Sequence, residues 1–243
     1  MNYKREDGRK FDDLRDAEAK VGVIKKAKGS AMFRIGKTTA YAAVYGPREL
    51  HPKFMQDPET GKLRCNYNMM PFSGSGESSR PGPNRRAKEI SMVTESALIP
   101  VMDLKDFPNT VVDVFIEITQ ADAGTRCAGI CAASMALADA GFKMKDLPVA
   151  VACGFVENTV IADLNYNEDS YDPGVDVPMC ILPRTGEITL LQTDGIIPKE
   201  KYLEVIELGK KSAAKISKIM KAALRAKFEE DSQWWADQLK NTH

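Results

Sequence analysis

The strongest constraint in this sequence is a regular strand pattern that runs directly into an alanine-rich helix. In TVVDVFIEITQ, residues 110–120, apolar residues alternate with mostly polar ones, as in a strand with one buried face: Val112, Val114, Ile116 and Ile118. After a short ADAGTR link comes CAGICAASMALADAG, whose small side chains allow close packing on a sheet and whose last residue, Gly141, is a typical helix end. A strand and a helix joined this tightly favour a mixed α+β fold.

Similar patterns lie on both sides of this unit. The stretch VGVIKKAKGSAMFRIGKTTAYAAVYGP, residues 21–47, predicts strands of a meander with turns at Gly29-Ser30 and Gly36-Lys37. A helical stripe of apolar residues begins at Ala87. In the second half, VAVACGFV, TVIADLN and EITLLQTDG predict further strands, with a turn at Arg184-Thr185-Gly186 before the last of them.

A closing amphipathic helix is predicted over about residues 199–228. No linker composition separates the two halves. We therefore expect one α+β domain over residues 1–228, built from two similar strand-and-helix halves, and a frayed, flexible tail over residues 229–243.

Composition excludes several classes. Hydrophobic residues make up 43% of the 243 residues, so disorder is not expected to dominate. No apolar run is long enough for a membrane helix, and the charged N-terminus predicts no secretory signal. Because 34 Lys+Arg balance 34 Asp+Glu, total charge on its own argues against a nucleic-acid binder. The distribution of charge along the chain weakens that inference.

Residues 47–87 are rich in Pro, Gly and Ser and are predicted to form a long loop, a kind that in compact domains is usually functional or disordered. Within 48–88, eight positive residues face four negative ones, and four of the positive residues lie at the end: Arg80, Arg85, Arg86 and Lys88. With the rings of Tyr67 and Phe72 nearby, this pattern resembles a binder of single strands. A solvated loop with non-specific charge explains the pattern equally well.

Gly124-Thr125-Arg126 lies where the central strand meets the following helix. Unpaired backbone N–H groups and the helix dipole favour an anion there, and the guanidinium fork of Arg126 suits phosphate oxygens. The pattern also allows a simpler interpretation, in which Thr125 only caps the helix and Arg126 points into solvent.

An acidic segment follows in ADLNYNEDSYDPGVDVPM, with five carboxylates: Asp163, Glu168, Asp169, Asp172 and Asp176. Residues 163–194 carry seven acids against one arginine. Clustered carboxylates raise one another's pKa or bind a divalent cation, and either property suits phosphoryl chemistry. The alternative is an acidic turn around Asp172-Pro173-Gly174.

Cysteine and histidine chemistry is disfavoured. The five cysteines form no CxxC motif and are predicted to be buried, reduced thiols of a cytoplasmic protein: Cys65, Cys127, Cys131, Cys153 and Cys180. The only histidines are His51 and His243, so a histidine-based triad is not expected. Chemistry must therefore come from carboxylates, arginines, backbone groups or a bound ion.

Several motifs in a fixed order carry a family resemblance over about residues 5–228. They are DGRKFDDLR, GSAMFRIGKTTAYAAVYGPRE, MMPFSGSG…PNRRAKEIS, QADAGTRCAGICAASMALADAGF and DLNYNEDSYDPGVDVPM. Together they resemble the RNase PH family, and within it the catalytic ring subunits of archaeal exosomes. The resemblance implies a ribosomal protein S5 domain 2-like fold with two βαβ-like halves, and phosphorolytic 3′-to-5′ degradation of single-stranded RNA by inorganic phosphate.

The resemblance also implies roles for individual residues. Gly124, Thr125 and Arg126 fall on the family's phosphate-binding motif, and Arg85 and Arg86 on the pair that grips the RNA 3′ end. Paired catalytic carboxylates are implied at Asp169 and Asp176, with Asp176 as general acid or Mg²⁺ ligand. A looser correspondence puts three residues at the entrance to a central pore: Lys62, Arg64 and Tyr67.

One departure concerns the acidic segment. The interval from Asp169 to Asp176 looks one residue longer than in close relatives, with Asp172-Pro173-Gly174 in the gap. A Pro-Gly bulge could absorb the extra residue and leave Asp176 at the start of a strand. Alternatively, Asp172 takes over part of the role.

The implied partners are an inactive paralogue that alternates with this chain in a hexameric ring (a trimer of dimers), and S1/KH-type RNA-binding cap proteins. Two rival functions remain. A non-catalytic RNA-binding ring subunit would lack the acids or the phosphate motif, both of which are present here. A hydrolytic nuclease would need a denser set of metal-binding carboxylates and would release monophosphates.

Overall fold

The structure is a computed structural model that describes residues 3–74 and 84–240, with residues 231 and 233–240 described by backbone alone. The strands are β1 (Ala17–Val21), β2 (Gly29–Ile35), β3 (Thr38–Glu49), β4 (Lys62–Met69), β5 (Thr110–Gln120), β6 (Val149–Val156), β7 (Thr159–Ala162), β8 (Val175–Ile181) and β9 (Ile188–Leu191). The helices are α1 (Arg85–Leu98), α2 (Thr125–Asp139), α3 (Tyr166–Asp169) and α4 (Lys199–Lys240).

Two sheets form the framework. The first has the strand order β1-β2-β3-β5-β4, and the second has the order β7-β6-β8-β9. Strands β4 and β5 are parallel, which makes β4-α1-β5 a βαβ unit, and the other pairs are antiparallel. The α+β class predicted from the sequence is confirmed.

Helix α2 packs against both sheets and forms the centre of the core. Twelve of its fifteen residues are buried, as expected for a helix that is apolar on all sides.

The prediction of a turn at Gly29-Ser30 was wrong, because both residues belong to β2. Close packing against the end of α2 explains the glycine at this position. Gly29 is the first residue of β2, and a Cβ there would lie 2.2 Å from the backbone nitrogen of Ala140, just after α2. The turn at Gly36-Lys37 is confirmed between β2 and β3.

The prediction of one long loop over residues 47–87 was wrong in its middle. Strand β4 lies there, with Leu63, Cys65 and Tyr67 buried in alternation. It pairs with β5 along its whole length, so tertiary pairing outweighs the loop-like composition on either side. The tip of the predicted loop, residues 75–83 with Arg80, lies outside the described residues.

Helix α4 begins where predicted but continues to Lys240, past residue 228. Seven of the twelve added residues are Glu, Gln, Ala, Leu or Lys, which are good helix formers. Val205, Ala213, Ile216 and Met220 on its inner face are buried in the core. No helix in the described part of the chain is long and apolar enough to span a membrane.

Candidate active site

Six residues singled out in the sequence line one cavity of about 320 Å³. They come from the start of α2, the first turn of α1, the end of α3 and the start of β8: Gly124, Thr125, Arg126, Arg86, Asp169 and Asp176. A neighbouring cleft of about 590 Å³ shares four of them, Arg86, Arg126, Asp169 and Asp176. Four elements therefore bring two arginines, two carboxylates and a helix N-terminus to one place.

The N-terminus of α2 lines this cavity and leaves backbone N–H groups available to an anion. Ala123 and Gly124 both have left-handed backbone conformations, with φ of 57° and 64°, which turn the chain sharply into α2. The first intrahelical bond runs from the N–H of Ala128 to the carbonyl of Gly124, at 3.0 Å. Because the preceding N–H groups of the first turn have no helical acceptor, they are available to phosphate oxygens.

Thr125 does not cap the helix. Gly124 holds the N-cap position, and Thr125 is the first helical residue, only 6% exposed. Its hydroxyl accepts a hydrogen bond of 2.9 Å from the hydroxyl of Tyr67. The Thr125 hydroxyl proton is then free to point toward an anion in the cavity.

Arg126 extends across the cleft rather than into solvent. Its Nη1 donates to the side chain of Gln192, and its Nη2 lies 3.5 Å from Glu89. The Nε atom is enclosed and has no partner among the described residues. A buried guanidinium N–H without an acceptor is costly, which is consistent with a ligand oxygen bound there.

The two carboxylates at the cavity are electrostatically perturbed. Burial, with the nearby Asp169 as second cause, raises the pKa of Asp176 to about 7. Burial also raises the pKa of Asp169, although Arg86 and Arg126 act against that shift. The Oδ1 atom of Asp176 is enclosed and has no hydrogen-bond partner in the described part of the chain. A carboxyl group that titrates near neutral pH can donate or accept a proton under working conditions.

The other three acids of the predicted cluster have different roles. Asp163 and Glu168 are buried in ion pairs with Arg15 and Arg5, at 2.7 Å in both cases. Asp172 is exposed on the turn after α3 and does not line the cavity. The Asp172-Pro173-Gly174 segment connects α3 to β8, and Asp176 is the second residue of β8. Among the described residues, no group of three or more His, Cys, Asp or Glu is arranged to hold a metal.

The residues expected along the RNA path are only partly at the cavity. Arg85 and Arg86 are both exposed, and of the two Arg86 lines the cavity. Lys62 and Arg64 lie on β4, with Lys62 exposed and Arg64 paired to the buried carboxylate of Asp113.

For Tyr67, the expected position at a pore entrance is corrected. Its side chain points into the core, and the residue is only 4% exposed. The ring is therefore not accessible for stacking on bases, and its hydroxyl supports Thr125 instead.

Sequence reasoning missed several residues of the site. Asp194 and Gln192 follow β9 and line the cleft, where the N–H of Asp194 donates to the carbonyl of Asp176 at 3.0 Å. Glu89 on α1 and Tyr166 on α3 also line the site. Asp194 was counted in the acidic total, but no spacing rule connects the end of β9 with Asp176. Only the antiparallel bridge between the two residues does so.

Comparison with known protein families gives two matches along the chain. Residues 13–143 match the model described as the 3′ exoribonuclease family, domain 1, and residues 146–212 match domain 2 of the same family. The chain belongs to the RNase PH family of 3′ exoribonucleases. Gly124-Thr125-Arg126 falls in the first match, and Asp169 and Asp176 fall in the second.

Similar proteins point the same way. The chain is 51% identical over 227 residues to the exosome complex component Rrp41 of Thermococcus gammatolerans, covering 93% of this chain and 90% of that one. It is 47% identical to the protein of the same name from Methanopyrus kandleri, covering 93% of each chain. The crystal structure of rice Rrp46 matches with a TM-score of 0.80 and 27% identity, covering 91% of this chain and all of that one. An Archaeoglobus fulgidus exosome with RNA bound to the active site shares the fold, with a TM-score of 0.75 and 24% identity over 88% of this chain and 92% of that one.

Proposed function

We propose that this protein is a phosphate-dependent 3′-to-5′ exoribonuclease that acts on single-stranded RNA as the catalytic subunit of an exosome ring. The observation that carries the proposal is the composition of the 320 Å³ cavity. A free helix N-terminus, two arginines and a carboxyl group with a pKa of about 7 meet there. Phosphorolysis needs each of these, because two anions must approach each other and a leaving oxygen must be protonated.

Inorganic phosphate would bind at the N-terminus of α2. The N–H groups of the first turn, the Thr125 hydroxyl and the Arg126 guanidinium would hold its oxygens and orient one for in-line attack. Arg86 would neutralise the scissile phosphate, so that the attacking phosphate is not repelled. Positioning and charge neutralisation are the main contributions expected for phosphoryl transfer.

The attacking phosphate oxygen forms a bond to the phosphorus of the last phosphodiester, and the bond from that phosphorus to the 3′ oxygen of the preceding nucleotide breaks. Asp176 would give its proton to that departing oxygen, and Asp169 would orient the carboxyl group. The products are a nucleoside 5′-diphosphate and an RNA one nucleotide shorter. In the reverse direction, excess nucleoside diphosphate would extend the 3′ end.

A Mg²⁺ ion fits this site as the alternative to direct proton donation by Asp176. Mg²⁺ is commonly held by one or two carboxylates together with substrate phosphates and water, so a denser protein cage is not required. Asp176, with an unpartnered Oδ1 atom, and Asp169 would hold it. Bound there, the ion would stabilise charge on the departing oxygen.

The proposed assembly follows the relatives that are named as exosome components. We expect an inactive RNase PH-like paralogue to alternate with this chain in a hexameric ring, a trimer of dimers, with S1/KH-type RNA-binding proteins as a cap. A cytoplasmic location is supported by the five cysteines, all buried and free. Lys62 and Arg64 would meet RNA before it reaches the cavity.

Product analysis tests the proposal. An oligoribonucleotide with a labelled 3′-terminal nucleotide is incubated with this chain, alone and mixed with its paralogue, with and without inorganic phosphate. Native mass spectrometry records the assembly in each case. We expect nucleoside diphosphates only when phosphate is present. Monophosphates would indicate a hydrolytic nuclease, and RNA binding without any product would indicate a non-catalytic ring subunit.

A further inference from the structure

Arg15 connects the two segments that carry the cavity, although it comes from neither. It lies in the N-terminal segment before β1, and its side chain is only 7% exposed. One end of its guanidinium reaches the loop before α2, and the other reaches the acidic segment before α3. These contacts span 107 and 148 residues of sequence.

In the acidic segment, Arg15 makes three hydrogen bonds to the carboxylate of Asp163. Arg15 Nη2 donates to Oδ1 of Asp163 at 2.7 Å and its Nε donates to Oδ2 at 3.0 Å. The backbone N–H of Arg15 also donates to Oδ2, at 2.7 Å. Asp163 is 2% exposed and has a left-handed backbone, with φ of 51°. Paired guanidinium–carboxylate bonds of this kind fix orientation as well as distance.

Arg15 also contacts the turn before α2, where the backbone of Ala123 is strained. Arg15 Nη1 donates to the carbonyl oxygen of Asp122. The N–H of Asp122 donates to the hydroxyl of Thr38 at 2.9 Å, and that hydroxyl donates to the carbonyl of Ala123 at 2.7 Å. Ala123 has a φ of 57°, an unfavourable conformation for alanine that persists only where the surroundings enforce it. Arg15 and Thr38 supply that enforcement immediately before Gly124.

Gly36 makes room for Arg15. A Cβ at position 36 would lie 2.5 Å from the Cδ of Arg15, and the φ of Gly36 is 56°. The turn between β2 and β3 therefore fits against the aliphatic part of the arginine. Substitution at Gly36 offers a second way to displace Arg15 without removing its charge.

We propose that Arg15 is a positioning residue. It holds the turn before α2 (residues 122–124, the phosphate-binding turn) at a fixed distance from the carboxylates Asp169 and Asp176. It contacts neither carboxylate of the cavity and acts through Asp122 and Asp163. This inference rests on the proposed function, because it takes the N-terminus of α2 as the phosphate site. Loss of the connection lets the strained turn relax, so phosphate binds more weakly and out of line with the RNA end.

The test uses Arg15→Lys in this chain assembled with its ring partner. Lysine keeps the positive charge but cannot reach both Asp122 and Asp163 with a planar fork. We expect KM for inorganic phosphate to rise about tenfold or more and kcat to fall, while RNA affinity stays within about twofold of wild type. Protection against thermal unfolding by added phosphate is measured as well, since that readout does not depend on turnover.

Two matched controls separate positioning from general destabilisation. Arg9→Lys removes contacts to the same Asp163, whose carbonyl Arg9 Nη1 reaches at 3.1 Å, but leaves the contact from Arg15 to Asp122 intact. Gly36→Ala displaces Arg15, whereas Gly186→Ala adds the same methyl group at a φ of 76° with nothing within 4 Å. Arg15→Lys and Gly36→Ala should raise KM for phosphate together, and the two controls should not.

A KM for phosphate and a phosphate-dependent thermal shift equal to wild type in both Arg15→Lys and Gly36→Ala would overturn the inference. A parallel loss in all four variants would do so too, because it would indicate stability rather than positioning. Phosphate-independent activity of the wild-type protein would instead overturn the proposed function. The thermal shift by phosphate would still report on Arg15 in that case.

Discussion

The phenolic hydroxyl of Tyr67 donates a hydrogen bond of 2.9 Å to the hydroxyl of Thr125. Tyr67 belongs to β4, in the sheet, and Thr125 is the first residue of α2. This bond connects the first residue of α2, which lines the cavity, to the buried face of the sheet. It gives a buried tyrosine a role that its position in a basic, loop-like segment does not suggest.

Tyr67→Phe should leave the fold intact and weaken phosphate binding. Loss of one buried hydrogen bond costs about 0.5–1.5 kcal/mol, so KM for phosphate should rise about two- to tenfold. Steady-state kinetics at varied phosphate measures this change. Tyr45→Phe is the matched control, because that ring packs edge-on against Phe115 rather than near the cavity. Equal effects of the two substitutions would contradict the assigned role.

Asp176→Asn should lower the rate of phosphorolysis about 10²- to 10⁴-fold while RNA binding is retained, because a positioned proton donor is lost. Since the pKa of Asp176 is about 7, its protonated fraction falls above that pH, and the wild-type rate should fall with it. The residual activity of the variant should lack this decline. Asp172→Asn, on the exposed turn nearby, should keep the wild-type rate and profile. A pH profile shared by wild type and Asp176→Asn would contradict the role of general acid.

The same raised pKa makes a prediction about stability. Burial favours the neutral form of Asp176, so its pKa is about 7 when folded and near 4 when unfolded. The stabilising effect of the proton is complete below about pH 4 and is lost as the pH rises to about 7. The free energy of unfolding of wild type, relative to Asp176→Asn, should therefore decrease by roughly 1–4 kcal/mol over that range and then level off. Urea denaturation at several pH values measures it, and an increase with pH would refute the assignment.

The two neighbouring arginines should behave differently. Arg86 lines the cavity, whereas Arg85 is exposed outside it. Arg86→Ala should reduce kcat/KM for RNA about tenfold or more and flatten its salt dependence, because it removes a phosphate contact at the reacting end. Arg85→Ala should have the smaller effect. The reverse order, measured on one oligoribonucleotide at several salt concentrations, would show that RNA enters differently.

Sequence patterns predicted many of the strands and helices, because these patterns reflect burial along a single element. The alternation in residues 110–120 and the small residues of α2 predicted β5 and its helix, since both reflect burial along one element. Strand β4 was missed because its stability comes from pairing with β5, and the Pro, Gly and Ser around it resemble a loop. Composition describes neighbours in sequence, whereas pairing is a property of the folded chain.

The environment of each site residue also depends on contacts between distant parts of the chain. Carboxylates at Asp163 and Asp176 look alike in sequence, yet one is neutralised by Arg15 and the other is partly buried at the cavity. The difference depends on an arginine 148 residues away. Zero net charge is equally uninformative, because the cavity needs both signs at short range.

The origin of the new phosphate group in the released nucleotide tests the central claim most directly. RNA is degraded with ¹⁸O-labelled inorganic phosphate in ordinary water, and the released nucleotides are analysed by mass spectrometry. Attack by phosphate predicts nucleoside 5′-diphosphates whose terminal phosphate carries the label, and none from the Arg126→Gln variant. Nucleoside monophosphates without the label would contradict the account.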